Sequence, residues 1–132
     1  MPYLHLTLSQ HPGVERLAPV AQALTDLTVD LLGKRRELTA LSLAVMPEGQ
    51  WFVGGTPLPG QSYQLDIKVT EGTNSADDKA RFIAQVHTTL EALLGPMAAA
   101  SYVVVHEVDG GAWGYQGRTQ AARRQALPQT AL

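Results

Sequence analysis

Trp51 and Trp113 stand 62 residues apart, and around them the chain repeats itself. At the same offset Gly55 falls on Gly117, and each tryptophan follows a turn: Met46-Pro47-Glu48-Gly49 before the first, Asp109-Gly110-Gly111 before the second. The repeat spans 2–55 and 62–117, with 118–132 left as a C-terminal tail. A duplication of this length restricts the chain to folds in which two copies of one supersecondary unit share a core. With 132 residues, those two copies make a single domain, 1–132, rather than two independent ones.

Each copy reads strand, helix, strand, short aromatic-glycine segment. In the first, Leu4, Leu6 and Leu8 alternate with Tyr3, His5 and Thr7, the period-two signature of a strand with one face on a hydrophobic layer. Leu17, Val20, Ala21, Leu24, Leu27, Leu31 and Leu32 then recur at helical spacing. Gly33 and the basic pair Lys34-Arg35 supply a stop and a charge suited to a helix C-terminus. Pro19 implies a helix beginning near Leu17, or one beginning near Val14 and kinking. Leu38 to Val45 is the second strand, and Thr56 to Gln61 is the best linker in the chain.

The second copy follows the same order. Tyr63, Leu65, Ile67 and Val69 alternate with polar partners, Ser75-Ala76-Asp77-Asp78 opens a helix, and Phe82, Ile83, Val86, Leu90, Leu93 and Leu94 form its apolar stripe. Gly95-Pro96 ends it, and Ser101 to Val108 is the last long strand. A strand–helix–strand unit requires parallel strands and a right-handed crossover. The expected fold is therefore α/β of the α+β kind: two tandem β-α-β units forming a four-stranded sheet with two helices on one face. The other face would carry Tyr3, His5, Gln64, Asp66, Lys68, Tyr102, Val104 and His106, too polar for a core and too large to leave bare. That predicts an oligomer.

A net charge of −2 gives no reason to expect nucleic acid, and the Arg118, Arg123, Arg124 cluster reads as a solvated tail. The absence of cysteine removes disulfides, thiolate metal sites and a cysteine nucleophile. Met1-Pro2-Tyr3-Leu4-His5 has neither a basic leader nor a long apolar run, so the expectation is a cytoplasmic protein without a membrane anchor. His5 and His106 lack the spacing of a metal site, and no phosphate-cradling loop is present, so no metal or cofactor is expected.

A Met-Pro start on a strand, two β-α-β units and Gly-Gly closing segments resemble the tautomerase superfamily. Leu43 to Met46 and Trp51 to Gly55 are similar to the C-terminal part of 4-oxalocrotonate tautomerase. Ser9-Gln10, Ala23-Leu24-Thr25-Asp26, Phe52 to Gly55, and Glu71-Gly72 with Ser75 to Lys79 are similar to cis-3-chloroacrylic acid dehalogenase. The resemblance runs from Pro2 to about Arg118. It implies a homotrimer and catalysis by the Pro2 amine, freed by removal of Met1, on a small enol or keto acid. The chemistry is sound: an ordinary α-amino group titrates near about 7.7–8.0, and burial or a nearby cation lowers that, enlarging the neutral, basic fraction.

The chain also departs from the family pattern. Thr70 and Thr73 stand where the family's substrate-binding arginines would follow a strand, and Ala40 replaces another. Gly114, Thr28 and Val104 replace the dehalogenase's water-directing acid, histidine and tyrosine, which argues against dehalogenation. The remaining candidates for substrate binding are Trp51 and Trp113 as pocket walls, with Arg118, Arg35 and Arg36 as cations. Two other readings stand beside this one: a non-catalytic member that keeps the fold for binding or interaction, and a dimeric ferredoxin-like α/β barrel with an antiparallel sheet.

Overall fold

The computed structural model describes residues 1–126. Strand β1 (Tyr3–Leu8) leads into α1 (Val14–Leu32), then a single 3₁₀ turn at Arg36–Leu38 and β2 (Ala40–Val45). A hairpin follows, β3 (Phe52–Val53) with β4 (Thr56–Pro57). The second half repeats the order with β5 (Tyr63–Thr70), α2 (Ala76–Leu94), β6 (Tyr102–Val108) and the hairpin of β7 (Gly114–Tyr115) with β8 (Arg118–Thr119). A short helix, α3 (Gln120–Ala126), comes last.

The sheet runs β2-β1-β5-β6. β1 and β2 are parallel, β5 and β6 are parallel, and the two units meet through antiparallel β1 and β5. Parallel pairing inside each unit is what a helical crossover produces, and it replaces the antiparallel sheet of the ferredoxin-like alternative. In the register, Tyr3 opens the first parallel pair opposite Ala40, and Gln64 opens the second opposite Tyr102. Tyr63 therefore holds in the second unit the place that Pro2 holds in the first.

Both helices cover one face of the sheet. Leu4, Leu6 and Leu8 from β1 and Tyr63, Leu65, Ile67 and Val69 from β5 meet Val20, Leu24 and Leu32 from α1 and Phe82, Val86 and Leu90 from α2. Each such side chain, removed from water, stabilises the fold by about 1.5–3 kcal/mol before entropy is counted. The helix ends use local chemistry. Ser75 Oγ accepts from the Asp78 amide at 3.0 Å while the Asp78 carboxylate accepts from the Ser75 amide at 3.2 Å, a reciprocal cap on α2. α1 begins at Val14 and keeps Pro19 inside it.

Two stretches differ from the sequence expectation. Thr56–Pro57, expected as linker, pairs back onto Phe52–Val53, because Gly54 and Gly55 both take positive φ and close a tight hairpin. The segment after Gly117, expected as a tail, contains α3; positions 127–132 of that tail lie outside the described residues. The far face of the sheet is open, with Tyr102 57% and Val104 38% exposed.

Candidate active site

The start of β1, the start of β2 and the end of β5 lie at one end of the sheet, as their parallel and antiparallel registers require. α1 runs back to the same end. There Gly33 adopts a left-handed conformation (φ 67°), its amide donating to the Val29 carbonyl at 3.1 Å, and turns the chain towards the sheet. Pro2 is buried beside this turn of chain, and its carbonyl accepts from the Ala40 amide at 3.3 Å.

Lys34, the next residue after that glycine, is only 7% exposed. Its ammonium donates to Thr73 Oγ1 at 2.7 Å, and the Thr73 hydroxyl in turn donates to the Thr70 carbonyl at 2.6 Å. Asn74 ties the same loop to the helix end through the Leu32 carbonyl at 2.9 Å. Burial pulls Lys34 down from 10.5 to about 8; Asp78 opposes that fall and Arg124 adds to it. Asp78 is committed elsewhere, to Asn74, the Ser75 amide and Arg81. Of the three ammonium hydrogens, Thr73 takes one, and no other acceptor among the described residues is within bonding distance.

The N-terminal amine lies in this field. In the chain with Met1 in place, burial lowers that amine from 8.0 to about 6, with Lys34 and then Arg35 adding to the effect. Lys34 also lines a cavity of about 640 Å³ together with Asp30, Thr73, Asn74, Asp78 and Arg124. Thr70, just below, is 3% exposed, and its hydroxyl has no hydrogen-bond partner among the described residues.

The second hairpin and α3 close over this end. Gln116 (φ 51°) and Gly117 (φ 76°) form the turn, the Gln120 amide donates to the Trp113 carbonyl at 2.8 Å, and the Ala121 amide to the Gly110 carbonyl at 2.9 Å. Arg123 stacks 3.7 Å above the Tyr115 ring and donates to the Tyr115 carbonyl at 2.9 Å. Arg124, on the next position, reaches the Lys34 cavity. Gly114 is glycine for a steric reason: a Cβ there would collide with the Arg118 carbonyl across the hairpin. An acid at this position, as in the dehalogenases, does not fit.

The sequence-predicted residues separate. Trp113 flanks the Pro2 end through its bond to Gln120, whereas Trp51 lines a cavity of about 450 Å³ at the opposite end, with Ser9, His11 and Pro57. Arg35 acts on the N-terminal amine and is paired with Glu37 at 2.6 Å; Arg36 is paired with Asp26 at 2.9 Å. Arg118 is exposed on β8. Lys34 and Arg124 are not among the sequence candidates. In sequence Lys34 reads as a helix-end cation, and only its contact with Thr73, 39 residues away, marks it out.

The open sheet face carries a polar network of its own. Ser42 Oγ is 2.7 Å from the Tyr3 hydroxyl and 2.6 Å from His5 Nδ1, and His106 Nε2 is 2.7 Å from Asp66. No cluster of three metal-ligating side chains occurs among the described residues, and none of the described helices is long and apolar enough to cross a membrane.

Residues 65–123, the greater part of the second unit together with the hairpin and the start of α3, match the tautomerase enzyme family. No curated protein matches the sequence. Among solved structures, a wild-type fused 4-OT that forms an asymmetric trimer is 28% identical over 92% of this chain and 98% of its own, with a TM-score of 0.82. A member of the cis-3-chloroacrylic acid dehalogenase family is 21% identical over 98% of this chain and 94% of its own (TM-score 0.80). Pt0534, inactivated by 2-oxo-3-pentynoate, is 16% identical over 92% and 98% (TM-score 0.84). The family match over residues 65–123 and the fold shared across the chain support the tautomerase superfamily. More particularly, the fold it shares is the tandem one, two β-α-β units in one polypeptide. The family match and these neighbours support a tautomerase-type function.

Proposed function

We propose that the chain is an isomerase that interconverts the enol and keto forms of a small 2-oxo acid, with the Pro2 amine as general base and then general acid. The observation that carries this is the field at the N-terminus: burial, Lys34 and Arg35 hold an amine there at about 6. Once Met1 is removed, the amine in that field is the Pro2 nitrogen. The same burial and the same cations favour its neutral form, which can take the enol hydroxyl proton and return one to carbon. With Met1 attached the Pro2 nitrogen is an amide and inert.

Lys34 answers the absence of the family's arginines. Its ammonium, hydrogen-bonded to the hydroxyl of Thr73 at one of the vacated arginine positions, is the group that would receive the substrate carboxylate. It also lowers the affinity of the neighbouring amine for a proton, so substrate holding and base tuning come from one side chain. That combination favours an enzyme over the non-catalytic reading. The trimers formed by fused 4-OT relatives support a homotrimer here, with the open sheet face as the buried surface.

The test uses protein whose intact mass shows loss of Met1, with phenylenolpyruvate as substrate. Ketonisation above the buffer rate is expected, lost when Met1 is retained and strongly reduced in Pro2→Ala. Equal rates for processed and unprocessed protein would refute the proposal.

A further inference from the structure

The cavity lined by Lys34 is bounded by a second cation that no part of the first unit supplies. Arg124 sits on α3, and α3 is fixed by bonds that have nothing to do with apolar packing: Gln120 to Trp113, Ala121 to Gly110, Ala122 to the Thr119 hydroxyl at 3.0 Å, and the Arg123 stack on Tyr115. Gln120 itself is 7% exposed. The helix therefore brings Arg124 to the cavity that Lys34 also lines. No carboxylate among the described residues forms an ion pair with either cation. Asp30 lines the cavity without reaching them, and Asp78 is held by Asn74, Ser75 and Arg81. Arg124 also borders a second hollow, of about 610 Å³, with Glu71 and Asp109, again with no ion pair formed.

We infer that Arg124 is a specificity-determining residue of this site: with Lys34 it brackets the carboxylate of the 2-oxo acid, so that the C-terminal helix, not the loop after β5, supplies the guanidinium. The inference rests on the Pro2 reading for the reaction but not for the binding. Two like charges facing an open cavity repel one another, and one carboxylate between them relieves that repulsion while accepting the spare ammonium hydrogens and the planar guanidinium fork. A neutral ester of the same compound gains none of this, so Arg124 selects for the acid.

The experiment compares native-sequence protein with Arg124→Gln and Arg124→Lys on phenylenolpyruvate and on its methyl ester. Arg124→Gln is expected to lower the acid-to-ester ratio of kcat/KM by about tenfold, mainly through KM, and Arg124→Lys to restore part of it. In parallel, phenylpyruvate is titrated into each protein and the Lys34 and Thr73 amide signals are followed by NMR. Weaker binding in Arg124→Gln supports the inference even if no variant, native included, turns substrate over, an outcome that would count against Pro2 alone. An unchanged ratio together with unchanged binding overturns it, as does an equal loss for acid and ester.

Discussion

Lys34 and Thr73 are joined by a 2.7 Å hydrogen bond that links the end of the first unit's helix to the loop after the second unit's first strand. The contact places an almost fully buried ammonium where the superfamily's arginines are missing. Replacing Lys34 by methionine keeps the stem and removes the charge. KM for a 2-oxo acid should rise about 10- to 100-fold, the worth of a hydrogen bond to a charged group. Steady-state kinetics on the acid and its ester checks this, and a KM unchanged for both would remove Lys34 from the site.

The pH profile follows from the same two groups. The Pro2 amine must be neutral to act, and the burial and cations that lower the Met1 amine act at the same place, so kcat/KM should rise on an acid limb lying below the ordinary α-amino range. Lys34 must be charged to hold the carboxylate and titrates at about 8, so kcat/KM should fall above it. A bell with its plateau between those limits is expected, and in the Lys34→Met protein the alkaline limb should vanish.

Stability should show the opposite sign for Lys34. Its folded-state value lies below the unfolded 10.5, so between about 8 and 10.5 the unfolded chain binds more protons than the folded one. Lys34 therefore makes the fold more stable as pH climbs through that window. Denaturant melts of the native and Lys34→Met proteins should converge at high pH, with the native protein the one that gains.

Val104 lies 38% exposed on the open sheet face beside Tyr102. Val104→Glu leaves the helix-side core untouched and places a charge in the proposed subunit contact. Sedimentation should show the proposed trimer in the native protein and a folded monomer in the variant, with helical circular dichroism retained. A trimer of unchanged mass would move the interface elsewhere.

Gly114→Ala should open the second hairpin, since its Cβ meets the Arg118 carbonyl. α3 would lose its seat, and KM for the acid should rise as it does in Arg124→Gln. Loss of the Ala121 amide's exchange protection would report the undocking directly.

The repeat, the two helices, the sheet and its core face are legible in the sequence because each rests on local periodicity: Leu4, Leu6 and Leu8 alternate, and Phe82, Val86 and Leu90 recur each turn. Features without a period are harder to read. Gln120–Ala126 has no apolar stripe, and what holds it is backbone bonding to Trp113 and Gly110 with one stacked guanidinium, none of which leaves a pattern in sequence. Lys34 has an adequate local explanation as a helix-end charge, which conceals its contact with Thr73. The two tryptophans look equivalent in the repeat yet sit at opposite ends of the sheet, because antiparallel β1 and β5 turn the second unit around.

That reversal divides labour between the copies. Tyr63, the counterpart of Pro2, is an interior link of the polypeptide, buried and hydrogen-bonded to His87 at 2.8 Å. Fusing two units leaves one chain terminus for two positions that would each need one. If proton transfer belongs to Pro2, as proposed, the second half of the duplicated framework takes no part in it and serves as scaffold, its equivalent position closed by the Tyr63–His87 bond.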